Sequence, residues 1–289
     1  MSYRLSLDHV GYVGRDLGAM AANMRRLGLS PTEPRLLAAR DAATGSATSL
    51  HQSSCHVVLA NSYIELTAVS TADPQHHLAP WRERGLGAHI LALGSAELRA
   101  VREQCIAQGL AATAVARASR TIEYGRLHGD AAFDWFMLSA TAVPAALLCV
   151  ANNLRPELVY QPEVTSHPLG ALALDEVTLL CADPAAFRTQ HAGWLTGPWR
   201  ASGAWQHVRL PAGGNLSVCD AAQARIRWGL PFDQARWQQG GIAAIALRVA
   251  DLARAATILK SNAVEFLNRS GEIVVPANEA LGAVLVLRN

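Results

Sequence analysis

Three short strand-like segments hold the side chains with the most chemistry to offer. His9 lies in Leu7-Asp8-His9-Val10-Gly11-Tyr12-Val13, Glu65 in Tyr63-Ile64-Glu65-Leu66, and His89 in Gly87-Ala88-His89-Ile90-Leu91-Ala92-Leu93; His56 stands seven residues before Tyr63. Imidazoles and carboxylates serve both metal ligation and proton transfer. The plain alternative is a half-buried strand histidine bonded to a backbone carbonyl, with Glu65 paired to an arginine. Because Glu65 alternates with Ile64 and Leu66, it faces a cavity if those two pack beneath a helix.

Weaker candidates read as structure. His76 and His77 follow Asp73-Pro74 in a loop-like stretch, a solvated turn; His128-Gly129-Asp130 reads as a hairpin turn; His167 belongs to a proline-containing hinge. Trp194, Trp199 and Trp205 read as core or pocket wall. Cys55, Cys105, Cys149, Cys181 and Cys219 are scattered singly, without CxxC pairs, as buried reduced thiols would be. No glycine-rich phosphate loop and no Gly-x-Ser-x-Gly elbow occurs, so nucleotide and serine-hydrolase chemistry have no support.

Composition narrows the partners. Lys and Arg number 25 against 23 Asp and Glu, with no basic run to follow a phosphate backbone, so nucleic acid is not expected. The most apolar stretch, Ala140 to Ala151, contains a proline and is far shorter than the roughly 20 residues of a membrane span. Met1 to Leu7 do not begin a signal peptide, and a cytoplasmic location is the expectation.

The elements that must position these residues repeat. The strand with His9 leads through Asp16-Leu17 into a helix with Leu17, Met24 and Leu27 on one face, stopped by Gly28. The strand with His89 leads to a helix carrying Leu98, Val101 and Cys105. Leu174-Asp175-Glu176-Val177 precedes a helix opening at Asp183-Pro184, and Gly241 to Val249 precedes one opening at Asp251-Leu252. Short β-rich runs and turns follow each helix. The class is α+β, with four βαβββ modules in two halves, residues 1–153 and 171–289, joined by a linker over 154–170.

This layout, with strands reading Leu-Asp-His-Val and Tyr63-Ile64-Glu65-Leu66, resembles the vicinal oxygen chelate superfamily over nearly the whole chain. The closer likeness is to its glyoxalase-like domain proteins. It rests on the spacing of His56 from Tyr63 and on the hinge Pro156-Glu157-Leu158-Val159-Tyr160, Glu163 and His167-Pro168-Leu169-Gly170-Ala171. The resemblance implies paired modules curled into two half-barrels, with a divalent metal, Fe(II), Mn(II) or Zn(II), held by first and last strands. Carried over, it makes His9, Glu65 and His89 the metal ligands and His56 a catalytic acid/base group. A fourth ligand position falls near Leu148 or Cys149, where a glyoxalase of the lyase type would place a carboxylate. Glu176, Ser217 and Ala243 occupy the matching positions in the second half, which reads as a scaffold or lid.

Two imidazoles and a carboxylate leave three positions of an octahedral ion for substrate and water. The implied function is metal-dependent lyase or isomerase chemistry on a small vicinally oxygenated compound through a stabilised enolate. The alternatives are a metal-free small-molecule binding protein of the bleomycin-resistance type and an extradiol-type dioxygenase. The expected partner is a small molecule, with no nucleic acid and no membrane, and a homodimer stays open.

Overall fold

Aspartate sets where three of the helices begin. Asp16, Asp183 and Asp251 lie in extended backbone, and their carboxylates accept from the amides of Ala19, Ala186, and both Ala253 and Arg254. Such a cap satisfies donors that the first helical turn leaves open, and its loss costs about 0.5–2 kcal/mol. The helices they open are α1 (Leu17–Arg26), α5 (Pro184–His191) and α7 (Leu252–Ser261). Gly28, just after α1, has φ near +78°, and a Cβ there would stand 2.7 Å from Ile258 Cγ2. Its carbonyl accepts from Leu169 N at 2.8 Å, which pins the hinge to the end of α1.

The computed structural model describes residues 3–40, 47–70, 73–228 and 240–289. Its fold is mixed α+β, with two eight-stranded sheets. The first comprises β1 (Ser6–Gly14), β2 (Arg35–Arg40), β3 (Ala47–Val58), β4 (Tyr63–Val69), β5 (Gly87–Gly94), β6 (Ala116–Ile122), β7 (Gly129–Met137) and β8 (Leu147–Asn153). α2 (Ala79–Glu83) and α3 (Leu98–Ala107) interrupt them, and α4 (Pro156–Val159) follows. The second comprises β9 (Ala171–Leu180), β10 (Trp199–Ser202), β11 (Trp205–Arg209), β12 (Asn215–Cys219), β13 (Gly241–Val249), β14 (Leu267–Arg269), β15 (Glu272–Val275) and β16 (Val284–Arg288), with α6 (Ala221–Trp228) after β12.

Where the resemblance leads to expect a half-barrel, the first sheet closes, in the order β1-β4-β3-β2-β6-β7-β8-β5. The seam is narrow: β2 meets β6 at the Ala38–Ser119 pair, which engages two edges that would otherwise stand open. The second sheet, β10-β11-β12-β9-β13-β16-β15-β14, stays open. Side chains of both sheets and of α1, α3, α5 and α7 share one core, reaching from Val10, Ile64 and Leu91 to Val177, Ile245 and Leu285. Backbone bonds also cross between them, Leu7 N to Gly213 O at 2.9 Å and Ala212 N to Leu5 O at 2.8 Å. No helix among the described residues is long and apolar enough to cross a membrane.

His191, at the end of α5, is fully buried in this core; its Nδ1 accepts from Trp194 Nε1 at 3.0 Å. Burial lowers its pKa to about 4. The unfolded chain therefore binds more protons than the folded one between about pH 6.5 and 4, and stability falls as pH drops through that window. Replacing His191 with Gln should flatten this fall by about 2 kcal/mol between denaturant titrations at pH 7 and pH 4.5. Parallel pH profiles of the two proteins would show that His191 is not held neutral.

Candidate active site in the barrel lumen

Strand alternation sorts the side chains of β1, β3 and β4. Val10, Tyr12, Cys55, Val57, Ile64 and Leu66 point outward into the core. Their neighbours His9, Gln52, His56, Tyr63 and Glu65 point into the barrel, where they line a cavity of about 840 Å³ of atom-free space, mouth included. Cross-strand pairing sets His9 beside Tyr63 and His56 beside Glu65. Apolar walls come from Leu37, Leu50, Ile90, Phe133, Trp135 and Leu147.

A register shift adds one more residue to this face. In the β1–β5 ladder Leu7 pairs with Leu93 and His9 with Ala92, so Asp8 is an extra residue without a partner on β5. Such a bulge lets consecutive side chains serve one side. Asp8 and His9 both line the lumen, and Asp8 Oδ1 stands 2.6 Å from His9 Nδ1. His9 stacks on Tyr63, with ring centroids 4.4 Å apart. With Nδ1–H on Asp8, Nε2 is the free lone pair, 3.8 Å from Glu65 Oε2. Glu65 Oε1 accepts from Thr67 Oγ1 at 2.8 Å and from Gln52 Nε2 at 3.4 Å.

His56 meets a different neighbour. Arg120, on β6, donates from its guanidinium to His56 Nε2 and lies over the Tyr63 ring, 4.9 Å from its centroid. Burial, then the charges of Arg120 and His9, holds the His56 pKa well below the ordinary range, so the ring is a neutral acceptor. Burial and the nearby Asp8 charge hold Tyr63 as a phenol. Cys149 also lines the lumen. Burial, with Asp8 and Glu65 beside it, pushes its thiol far up.

His89 lies apart from this group. Gly11 pairs with Ile90 and Tyr12 with Ala88, so His89 is itself the extra residue of a second bulge. Its Nε2 donates to Gly85 O at 2.9 Å and its ring packs near Trp81, while Ile90 takes the place in the cavity wall. The structure thus brings His9 and Glu65 together and does not bring His89 to them. Among the described residues no three His, Cys, Asp or Glu side chains are grouped to hold an ion.

Four other histidines are accounted for locally. His76 Nε2 bonds Leu50 O at 3.0 Å, and its ring stacks on His77, which lines the lumen. His128 reaches Gly125 O at 3.2 Å in an exposed turn. His167 staples the hinge, donating to Val58 O at 2.9 Å and accepting from Ser30 N at 3.1 Å. In the second sheet Glu176 bonds Ser217 and Arg288, the latter at 2.6 Å, and Ala243 is buried. Sequence reasoning passed over Arg120 and Gln52; the Asp8-His9 dipeptide was the one visible signal for an oriented imidazole.

Among solved structures, the chain is similar to a hypothetical protein from Staphylococcus aureus (TM-score 0.63, 8% identity, 98% of this chain and 99% of that one). It is also similar to a mutant 4-hydroxymandelate synthase from Streptomyces coelicolor (TM-score 0.60, 14% identity, 100% and 94%). A third is the Mn(II)-bound glyoxalase from Novosphingobium aromaticivorans (TM-score 0.56, 12% identity, 99% and 82%). No curated protein matches in sequence. The synthase and the glyoxalase are of the vicinal oxygen chelate superfamily, which is the class of this fold. The chain belongs to the family of the glyoxalase-like domain, whose model matches residues 7–195 and so runs past the barrel into the second sheet.

Because Ile64 faces the core and Glu65 the lumen, neighbouring substitutions should separate. Ile64→Ala should cost about 2–5 kcal/mol of stability through a cavity. Glu65→Gln, which keeps the shape and much of the hydrogen bonding, should cost under about 1 kcal/mol in the same denaturant titration. Equal losses would show that Glu65 is part of the scaffold.

Proposed function

We propose that the barrel is the active site of a glyoxalase-like enzyme that moves a proton on a small, vicinally oxygenated carbonyl compound. The observation that carries this is the Asp8–His9 couple, with Nδ1 held 2.6 Å from a carboxylate in a mostly apolar cavity. His9 Nε2 would take the proton next to the carbonyl, and Asp8 would fix the tautomer and stabilise the imidazolium that forms. Glu65, 3.8 Å from Nε2, lies where it could exchange that proton with the substrate or with His9. The acid/base role passes here from His56 to His9, because the His56 Nε2 lone pair is occupied by Arg120. In this reading the chain is four βαβββ units, residues 1–153 do the chemistry, 154–170 link, and 171–289 buttress the barrel. The strand–helix–three-strand order repeated along the chain supports it.

A second reading gives His9 and Glu65 a divalent ion, Fe(II), Mn(II) or Zn(II), which would polarise the carbonyl. Its support is their 3.8 Å separation, a span that two ligands at about 2.0–2.2 Å from one ion can cover, and the likeness to a Mn(II)-bound glyoxalase. With His89 bonded to Gly85, the chain offers two of the three donors expected. The donor set does not fit a tightly held ion.

The test is exchange of the proton next to the carbonyl in D2O, followed by NMR over a panel of small 2-oxo and 2-hydroxy carbonyl compounds. Exchange should fall about 10²–10⁴-fold in His9→Gln with the melting temperature retained, and should survive chelation. Exchange that persists in His9→Gln would contradict the base assignment. Exchange lost on chelation, with one metal equivalent per chain that His9→Ala removes, would establish the second reading. Binding without any exchange would make the protein a carrier.

A further inference from the structure

We propose that Arg120 and His56 form a carboxylate-binding subsite inside the barrel, so that the ligand is a small monoanionic acid with an apolar or aromatic body. The proposal rests on the reading of the lumen as the ligand site, and it names the class of ligand.

The geometry points there because Arg120 is a cation that the protein itself leaves uncompensated. The residue is 9% exposed, and its partners among the described residues are the neutral His56 ring and the face of Tyr63. No described carboxylate lies within ion-pair distance of it. Three less buried arginines do find carboxylates, Arg26 with Glu279, Arg227 with Glu272, and Arg288 with Asp175, Glu176 and Glu272, while the half-buried Arg84 and Arg188 bond Pro144 O and Gln206; Arg120 is more deeply buried than any of these. A guanidinium cannot shed its proton to escape burial, and a buried unpaired cation is costly. His56 cannot help, since burial and Arg120 keep it uncharged. A ring face compensates far less than a carboxylate does.

What remains is a fork with N–H donors to spare. One of the five points at His56, which fixes the plane of the guanidinium, and a carboxylate can accept two others side by side. The lumen's acids have other partners: Asp8 bonds His9, and Glu65 bonds Thr67 and Gln52. Their negative charge disfavours a dianion such as a phosphate ester and leaves room for one charge beside Arg120. Leu37, Leu50, Phe133, Trp135 and Leu147 supply an apolar wall for the rest of the molecule.

Thermal shift and calorimetry on the full chain with matched probes test this: phenylacetate against phenylacetamide, and phenylpyruvate against its methyl ester. The acids should raise the melting temperature and bind at least about tenfold more tightly than their neutral partners. Arg120→Met should abolish that preference and, without ligand, melt above the wild type, because the unpaired cation is gone. Arg120→Lys should keep a weakened preference for acids. Acids and neutral partners binding alike, no binding of either acid, or an acid preference surviving in Arg120→Met would overturn the subsite. The outcomes separate from those of the proton-transfer reading. Acid preference that depends on Arg120 without any proton exchange would sink only the latter. Proton exchange on neutral and acidic compounds alike, indifferent to Arg120→Met, would sink only the subsite.

Discussion

In an antiparallel ladder each residue faces a partner across the gap, and one extra residue on one strand breaks the alternation locally and turns side chains to new directions. The ladder between β1 and β5 does this twice, at Asp8 on one strand and at His89 on the other. The first bulge lets a carboxylate and the imidazole after it serve the same lumen, with Asp8 Oδ1 2.6 Å from His9 Nδ1. The second removes His89 from the cavity and gives its place to Ile90. These two irregularities decide which of the β1 and β5 polar side chains reach the lumen. The regular parts of β3 and β4 add Gln52, His56, Tyr63 and Glu65 by simple alternation.

The same device recurs in the open sheet. In the β13–β9 ladder three residues are extra, Leu172, Asp175 and Ala243, and the last two stand in the same ladder order as Asp8 and His89 in the barrel. Asp175 is followed by Glu176 rather than a histidine, and both carboxylates pair with Arg288. Arg248 adds a further bond to Asp175 at 3.0 Å. Acids at a bulge that find arginines become an ion-paired cluster; an acid that finds an imidazole orients it. One backbone feature thus carries an ion-paired cluster in one sheet and an acid–imidazole pair in the other.

The fold was legible in the chain because its signals are local and repeated. Aspartate before each of three helices marks their starts, and the apolar faces of α1, α3 and α7 are written at helical spacing. Glu65 between Ile64 and Leu66 was legible for the same reason, since period-two alternation reports the side a residue faces. His89 was misplaced because a bulge leaves no mark in an apolar strand: Gly87 to Leu93 read as one even run. Arg120 was invisible because an arginine on a strand is ordinarily taken as solvent-facing, and its burial depends on β6 closing against β2 through the Ala38–Ser119 pair. Barrel closure is a property of sixteen strand edges arranged in space, and no window of sequence contains it.

The central claim is that Asp8 fixes His9 as the Nδ1–H tautomer with a free Nε2 facing the lumen. Nitrogen-15 NMR of histidine-labelled protein at neutral pH measures this directly, with His9→Gln used to assign the signal. The account predicts a protonated Nδ1 whose proton is shifted far downfield and protected from solvent exchange, an Nε2 with the shift of an unprotonated imidazole nitrogen, and loss of the downfield proton in Asp8→Asn. An Nε2–H tautomer, or an Nδ1 proton exchanging as freely as that of a solvent-exposed histidine, would contradict it.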